Sequence, residues 1–106
     1  MPNKVGIIGC GKIFPRHFEA INKNDDYDLV SICDTNPLSL KHASDKTGVT
    51  SFKDYKKMID NANLDLVVIA TPNYQHYEQA IYCLQNGSDV LIEKPATLDP
   101  KLINEI

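Results

Sequence analysis

The sequence lacks tryptophan, long apolar runs and closely spaced cysteines. No stretch approaches the roughly 20 apolar residues that cross a bilayer, and residues 1–4 lack the tripartite pattern of a signal peptide. Cys10, Cys33 and Cys83 show no CxxC spacing, which argues against a disulfide framework and against a zinc site. We therefore expect a cytoplasmic protein with no membrane association and no bound metal.

An excess of charge is also absent, because the formal net charge is −3 over 106 residues. This balance offers no electrostatic reason to bind nucleic acid or an anionic membrane surface. The hydrophobic share of 42% and the charged share of 24% are ordinary for a globular protein. The length suits one domain with its own core.

What is present is a series of short apolar runs rich in β-branched residues. Four lie at residues 5–8, 29–33, 66–70 and 90–92, and a weaker fifth lies near 49–51. The runs are apolar at consecutive positions, which is typical of parallel strands covered on both faces. Helical patterns separate them. The residues that share a helix face are Phe14, His17, Phe18 and Ile21, then Phe52, Tyr55, Met58 and Ile59, then Tyr77, Ala80, Ile81 and Leu84.

The order β-α-β-α-β-α-β-α-β with short connections predicts an α/β fold. We expect a Rossmann-type doubly wound parallel sheet. Asn36 before Pro37 marks a helix start, and Gly87 suits a left-handed helix end. Asp99 and Pro100 resemble the start of a further helix. We therefore expect residues 1–106 to be an incomplete domain, truncated after about five strands.

A glycine turn connects the first strand to the first helix, which is the context of a dinucleotide-binding fingerprint. Gly9 permits the tight turn, and Gly11 lets the backbone approach a pyrophosphate. The backbone N–H groups of Gly11, Lys12 and Ile13 would bind the anion at the helix start. Cys10 would contribute its backbone only. The turn predicts a cofactor site, with a purely structural turn as the alternative.

Asp34 closes the second strand about 23 residues after Gly11, close to the spacing of a ribose-binding acid. Its carboxylate would accept hydrogen bonds from ribose hydroxyls and repel the extra phosphate of NADP. Thr35 and Asn36 follow it instead of an arginine, so NAD is favoured over NADP. Asp34 could instead cap its own turn. Phe14 replaces the usual third Gly or Ala of the fingerprint and leaves the pyrophosphate geometry open.

Two later motifs, ATPNYQH at residues 70–76 and EKP at residues 93–95, follow the fourth and fifth strands. Together with the glycine turn and Asp34, they resemble the N-terminal domain of the glucose–fructose oxidoreductase, inositol 2-dehydrogenase and rhizopine-catabolism family (Gfo/Idh/MocA). The resemblance covers essentially the whole chain. Residues 15–17 are similar to the segment that follows the glycine turn in one branch of the family. The enzymes of that branch oxidise nucleotide-linked sugars for surface polysaccharides.

The resemblance implies roles for the later motifs. The residues that would line the nicotinamide end of the cofactor are Thr71, Pro72, Asn73, His76, Glu93 and Lys94. In the family, the lysine of the EKP motif contacts the hydroxyl being oxidised, so Lys94 is the candidate catalytic residue. An ammonium beside a developing alkoxide stabilises it and eases proton removal before hydride transfer. A solvated lysine at position 94 and a locally bonded histidine at position 76 remain the alternatives.

The resemblance also implies a C-terminal α/β domain that completes the substrate pocket and is absent from residues 1–106. The full-length protein is then an NAD-dependent oxidoreductase acting on a secondary alcohol of a sugar, cyclitol or nucleotide sugar. We expect a homo-oligomer at full length and no turnover by residues 1–106 alone. A non-catalytic dinucleotide sensor and an adaptor that binds nothing are the alternatives. Lys94 argues against the sensor and Asp34 against the adaptor.

Overall fold

Strands and helices alternate along the chain. The computed structural model describes residues 3–11, 14–71 and 73–92, with side chains omitted at 73–76. The elements are β1 (Asn3–Ile8), α1 (Phe14–Asn22), β2 (Tyr27–Cys33), α2 (Pro37–Thr47), β3 (Thr50–Phe52), α3 (Tyr55–Asn61), β4 (Leu66–Ile69), α4 (Asn73–Gln85) and β5 (Asp89–Ile92). This order confirms the predicted alternation. The predicted helix start at Asp99 lies outside the described residues.

The strands form one sheet in the order β3-β2-β1-β4-β5. Every neighbouring pair is parallel. From β1 the chain moves outward through β2 to β3, then returns past β1 to β4 and β5. The direction of winding therefore reverses between β1 and β4, and ligands of open α/β sheets bind at the carboxyl ends of strands at such a point. The predicted Rossmann-type doubly wound sheet is confirmed.

The sheet separates two apolar cores, which explains why the strands are apolar at consecutive positions. One core contains Val5, Ile7, Phe14, Ile32, Leu40, Ala43 and Val68. The other contains Ile8, Cys33, Met58, Ile59, Val67, Ile69, Ala80 and Cys83. Successive side chains of a strand point to opposite faces, so α1 and α2 bury one set and α3 and α4 bury the other.

Helix α2 begins as its sequence predicts. The side-chain oxygen of Asn36 accepts hydrogen bonds from the backbone N–H groups of Leu38 and Ser39, at 3.0 and 3.2 Å. These two donors have no partner inside the helix, so the cap stabilises its first turn. Gly87, two residues beyond α4, has φ +87° and confirms the predicted left-handed position.

The predicted start of the third helix is wrong. Phe52 was assigned to a helix face, but it ends β3 and pairs with Cys33 of β2. Strand β3 therefore lies one residue later than predicted. The reason is that the side chain of Asp54 accepts a hydrogen bond from the N–H of Lys56, so the helix begins only at Tyr55.

The apolar stripe of α4 is also displaced from the buried face. Ala80 is fully buried, but Tyr77, Ile81 and Leu84 are 39%, 37% and 50% exposed. The buried face of the helix carries Cys83 and the polar Gln79 instead. Hydrophobicity alone marks the wrong row, because packing against β4 and β5 selects which helix face turns inward.

The three cysteines are buried and free. Over the described ranges, no cluster of three or more His, Cys, Asp or Glu side chains is arranged to hold a metal ion. None of the helices in this part of the chain combines the length and the apolar character that a membrane crossing requires.

Candidate functional site

A cleft of about 490 Å³ opens at the carboxyl ends of β1, β2, β3 and β4. It is lined by Ile8, Gly9, Gly11, Cys33, Asp34, Thr35, Lys53, Asp54, Tyr55, Ala70, Thr71 and Gln79. The glycine turn, the acid after β2 and the threonine after β4 were predicted from separate segments, and the fold brings them to one cavity. This edge of a doubly wound sheet is where ligands bind.

Gly9 makes the turn at the end of β1 and lies close to Ala70, the residue directly after β4. Its φ is +104°, and a Cβ at this position would lie 2.7 Å from the carbonyl oxygen of Ala70. Its N–H donates a 2.8 Å hydrogen bond to the carbonyl of Cys33. Only glycine tolerates both this dihedral and this contact. The predicted role of Gly9 in the tight turn therefore has a steric basis.

Gly11 has a different environment. A Cβ at this position would meet no atom of the described residues within 4 Å, so none of these residues requires glycine there. Gly11 is exposed and lines the cleft. The missing side chain leaves open space in the cleft and not in the core. This arrangement agrees with a backbone that must be approached by a bound ligand.

Asp34 joins two segments of the site through its carboxylate. One oxygen accepts a 2.8 Å hydrogen bond from the backbone N–H of Cys10, and the other accepts a 2.8 Å bond from the N–H of Asn36. The second bond is the local turn considered as an alternative, and it coexists with the contact to the glycine turn. Each oxygen retains a further lone pair, so the carboxylate can still accept from a ligand.

The Cys10 thiol is not a reactive group. Burial raises its pKa to about 12, and the charge of Asp34 adds to this increase. The neutral thiol donates to the carbonyl of Cys33 at 3.5 Å. Because the thiolate is the nucleophilic form, Cys10 serves the site through its backbone N–H.

Phe14 does not obstruct the cleft. Its side chain is only 3% exposed and belongs to the core under α1 and α2. Its ring stacks on Phe18 with 6.3 Å between centroids and an interplanar angle of 2°. The aromatic residue therefore replaces the usual small residue by filling the core on one face of the sheet, and the glycine turn stays open.

Thr71 lies at the end of β4 and lines the cleft. Its hydroxyl donates a 2.6 Å hydrogen bond to the amide oxygen of Gln79, which is buried. The remaining predicted positions lie outside the described residues: Lys12, Ile13, Pro72, Glu93, Lys94 and the side chains of Asn73 and His76. Their roles stay predictions.

Four cleft residues escaped the sequence analysis: Lys53, Asp54, Tyr55 and Gln79. Lys53 lies 19 residues after Asp34 in the sequence, whereas a cation was expected only directly after Asp34. The parallel register pairs Cys33 with Phe52, and the N–H of Asp34 donates to the carbonyl of Phe52. Lys53 therefore leaves β3 beside Asp34. A correct prediction of where β3 ends would have placed Lys53 beside Asp34.

A glycine turn, a strand-end carboxylate bound to it and a cleft at the reversal of the winding define a dinucleotide-binding Rossmann domain. A protein-family model for the Gfo/Idh/MocA oxidoreductases, described as an oxidoreductase family with an NAD-binding Rossmann fold, matches residues 3–106. The chain belongs to this family. The resemblance seen in the sequence motifs is confirmed.

Named relatives and solved structures extend the comparison. The chain is 33% identical to an inositol 2-dehydrogenase/D-chiro-inositol 3-dehydrogenase of Lactiplantibacillus plantarum, over 97% of the chain and 30% of the relative. A WlbA dehydrogenase from Bordetella pertussis, crystallised with NADH and UDP-GlcNAcA, is 40% identical with a TM-score of 0.86, covering 92% of this chain and 30% of that one.

A biliverdin reductase from Synechocystis, crystallised with biliverdin and NADP+, is 30% identical with a TM-score of 0.86. It covers 99% of this chain, which spans 33% of that protein. The chain therefore corresponds to about a third of the length of these relatives, and both NADH and NADP+ occur in structures similar to it.

Proposed function

We propose that this chain is the cofactor-binding part of an NAD-dependent dehydrogenase, which oxidises a secondary alcohol of a sugar, cyclitol or nucleotide sugar. The observation that carries the proposal is the Asp34 carboxylate, which is bonded to the N–H of Cys10 in the glycine turn and lines the cleft. The dehydrogenases among the named relatives support catalysis over the sensor alternative.

In the proposed complex, the described residues contact different parts of the cofactor. The backbone at Gly9 and Gly11 leaves room for the pyrophosphate, and helix α1 begins directly beyond it. Asp34 accepts hydrogen bonds from the adenosine ribose hydroxyls. Bound NAD supplies the hydride-accepting ring. Thr71 lies at the β4 end of the cleft, on the side that we assign to the nicotinamide ribose.

The residues beyond the described part complete the proposed site. We assign Lys12 and Ile13 to the binding of the pyrophosphate. The residues that we assign to the nicotinamide end are Pro72, Asn73, His76, Glu93 and Lys94. Lys94 is the proposed catalytic residue, whose ammonium would stabilise the alkoxide of the substrate. A further C-terminal domain would complete the substrate pocket, so we expect residues 1–106 to bind cofactor without turning over sugar. We further propose a cytoplasmic homo-oligomer at full length.

The class of substrate rests on the relatives. The WlbA structure contains a nucleotide sugar, which supports the similarity of residues 15–17 to enzymes of that branch. The inositol dehydrogenase supports a cyclitol. Both carry secondary alcohols, and the proposal therefore names the reacting group that these substrates share.

Titration with NADH and NADPH tests the proposal. Nicotinamide fluorescence reports binding against a low protein background, because the chain contains no tryptophan, and calorimetry provides an independent value. We expect saturable binding of NADH and weaker binding of NADPH, since the charge of Asp34 opposes the additional phosphate. Absence of NADH binding to the protein would contradict the proposal.

A substitution at Gly11 separates binding from folding. We expect Gly11→Ala to leave the free energy of unfolding within about 0.5 kcal/mol of the original, because the new methyl group contacts no atom in the described part of the chain. The same methyl group should weaken NADH binding at least tenfold by standing where the pyrophosphate approaches. Urea denaturation and the NADH titration measure the two effects. Unchanged NADH affinity would remove Gly11 from the pyrophosphate site.

A further inference from the structure

A polar side chain lies on the inward face of α4, among apolar ones. Ala80 and Cys83 on this face are fully buried, and Gln79 is only 6% exposed. An amide that is removed from water costs free energy unless it is hydrogen-bonded, whereas an apolar side chain would pack there without that cost. The packing of α4 on the sheet therefore does not explain a glutamine at position 79.

Gln79 extends from the inward face of α4 to the end of β4. Its amide oxygen accepts a 2.6 Å hydrogen bond from the hydroxyl of Thr71, and both residues line the cleft. The separation of 2.6 Å is typical of an O–H···O hydrogen bond and is shorter than an N–H···O bond normally is. The amide oxygen of Gln79, and not its nitrogen, is therefore the atom that faces Thr71.

This bond fixes the polarity of the Thr71 hydroxyl. A threonine hydroxyl has one proton to donate and two lone pairs that accept. Because the proton is directed at Gln79, any further hydrogen bond at this oxygen is one in which the oxygen accepts. A ligand group that binds to Thr71 must therefore be a donor.

The surroundings of the two residues differ. Thr71 is partly exposed at the carboxyl end of β4, where it lines the cleft, and water can hydrogen-bond a hydroxyl in such a place. Gln79 is withdrawn into the core. A buried amide thus orients a partly exposed hydroxyl from behind. Binding sites use this arrangement to hold the residue that contacts a ligand in one geometry.

We propose that Gln79 is a positioning residue, which fixes the Thr71 hydroxyl as a hydrogen-bond acceptor for the cofactor. The inference rests on the proposed function, which assigns the β4 end of the cleft to the nicotinamide ribose of NAD. The nicotinamide riboside half offers donors in its ribose hydroxyls and in the amino group of its carboxamide, and Thr71 accepts from one of them. Because the hydroxyl is oriented before binding, less conformational freedom is lost when the cofactor binds.

Three ligands that share adenosine diphosphate test the inference: NADH, ADP-ribose and ADP. ADP-ribose retains the second ribose without the nicotinamide, and ADP lacks both. Calorimetric titration gives each affinity. Gln79→Leu removes the acceptor and suits an apolar face, and we expect it to weaken NADH binding about fivefold and to leave ADP binding within about twofold. A parallel loss for ADP-ribose would identify a ribose hydroxyl as the donor, and a loss for NADH alone would identify the carboxamide.

Substitutions at Thr71 separate positioning from a direct role of Gln79. Thr71→Val removes the hydroxyl and should weaken NADH binding by about the same factor as Gln79→Leu. The double variant should bind NADH no more than about twofold more weakly than either single variant, because both substitutions act through one hydroxyl. Gln79→Glu retains an oxygen acceptor. Its charge affects NADH and ADP alike, so the ratio of the two affinities should stay within about twofold of the original.

Gln85→Leu is the matched control. Gln85 is an exposed glutamine at the end of α4 and does not line this cleft. The substitution removes the same chemical group from the same helix, and it should leave the affinities for all three ligands unchanged. Thermal unfolding of every variant measures whether the fold is retained.

The outcomes distinguish this inference from the proposed function. Unchanged NADH affinity in Gln79→Leu, or an equal loss for NADH and ADP, would overturn the positioning role while cofactor binding stands. Independent, fully multiplicative effects of Thr71→Val and Gln79→Leu would also overturn it, since Gln79 would then act without Thr71. Failure of the unaltered protein to bind NADH would overturn the proposed function itself and this inference with it.

Discussion

Replacing Gly9 with alanine should destabilise the protein by at least about 3 kcal/mol. The φ of +104° is one that side chains rarely adopt, and such backbone strain costs about 1–3 kcal/mol. The added Cβ would also lie 2.7 Å from the oxygen and 2.8 Å from the carbon of the Ala70 carbonyl. These are backbone atoms of the residue directly after β4, which cannot move without disturbing the end of that central strand. Against a typical stability of about 5–15 kcal/mol, the loss is large.

Gly48→Ala is the matched control for this effect. Gly48 follows the last residue of α2 with φ +70°, and a Cβ there would meet no atom of residues 3–11, 14–71 or 73–92 within 4 Å. The control therefore carries backbone strain of about 1–2 kcal/mol without a steric clash. Urea denaturation followed by circular dichroism measures both variants. If Gly9→Ala and Gly48→Ala lowered stability equally, the close approach of the turn to Ala70 would not be a constraint on residue 9.

Replacing Asp34 with alanine should weaken NADH binding about 10- to 100-fold, because hydrogen bonds to a charged group contribute about 1.5–3 kcal/mol. The variant also loses the acceptor that holds the N–H of Cys10, so the turn loses support as well as the ribose contact. NADPH should respond in the opposite direction. Removing the carboxylate relieves its repulsion of the additional phosphate, and Lys53 in the same cleft then attracts it.

Lys53→Ala supplies the control for this reversal. Alone, it should change NADH affinity by no more than about threefold, because its exposed side chain contributes little to an uncharged ribose. In the Asp34→Ala background, it should abolish the gain in NADPH affinity. Fluorescence titration of the four proteins gives the comparison, with thermal unfolding to confirm that all are folded. If Lys53→Ala left the NADPH affinity of the Asp34→Ala variant unchanged, residues other than Lys53 would bind the phosphate.

The order of the elements was predictable because its signals are local. Consecutive β-branched residues mark covered strands, and the side chain of Asn36 caps α2 from within the same turn. The residues around Gly9 are sufficient to predict the glycine turn. Asp34 was found by its distance along the chain. Apart from the spacing between Gly11 and Asp34, each of these signals lies within a short stretch, where the chain's own stereochemistry decides the result.

The errors have the opposite character. Phe52 has a helical spacing with Tyr55 and Met58, yet pairing with Cys33 places it in β3. Tyr77 and Ile81 have the better hydrophobic pattern, yet Gln79 and Cys83 face inward. In both cases contacts with a segment distant in sequence contribute to the outcome, and for Phe52 the local cap at Asp54 also delays the start of the helix. The hydrophobic spacing alone contains neither piece of information.

The sequence by itself determined the alternation of strands and helices, the turn at Gly9 and the acid at Asp34, because these follow from propensity, capping and spacing. Only the tertiary structure decided that Phe14 turns into the core and leaves the cleft open. It also decided that Lys53 and Tyr55 share the cleft with Asp34. These results depend on strand register and on packing across the sheet, which bring together residues that no spacing along the chain relates.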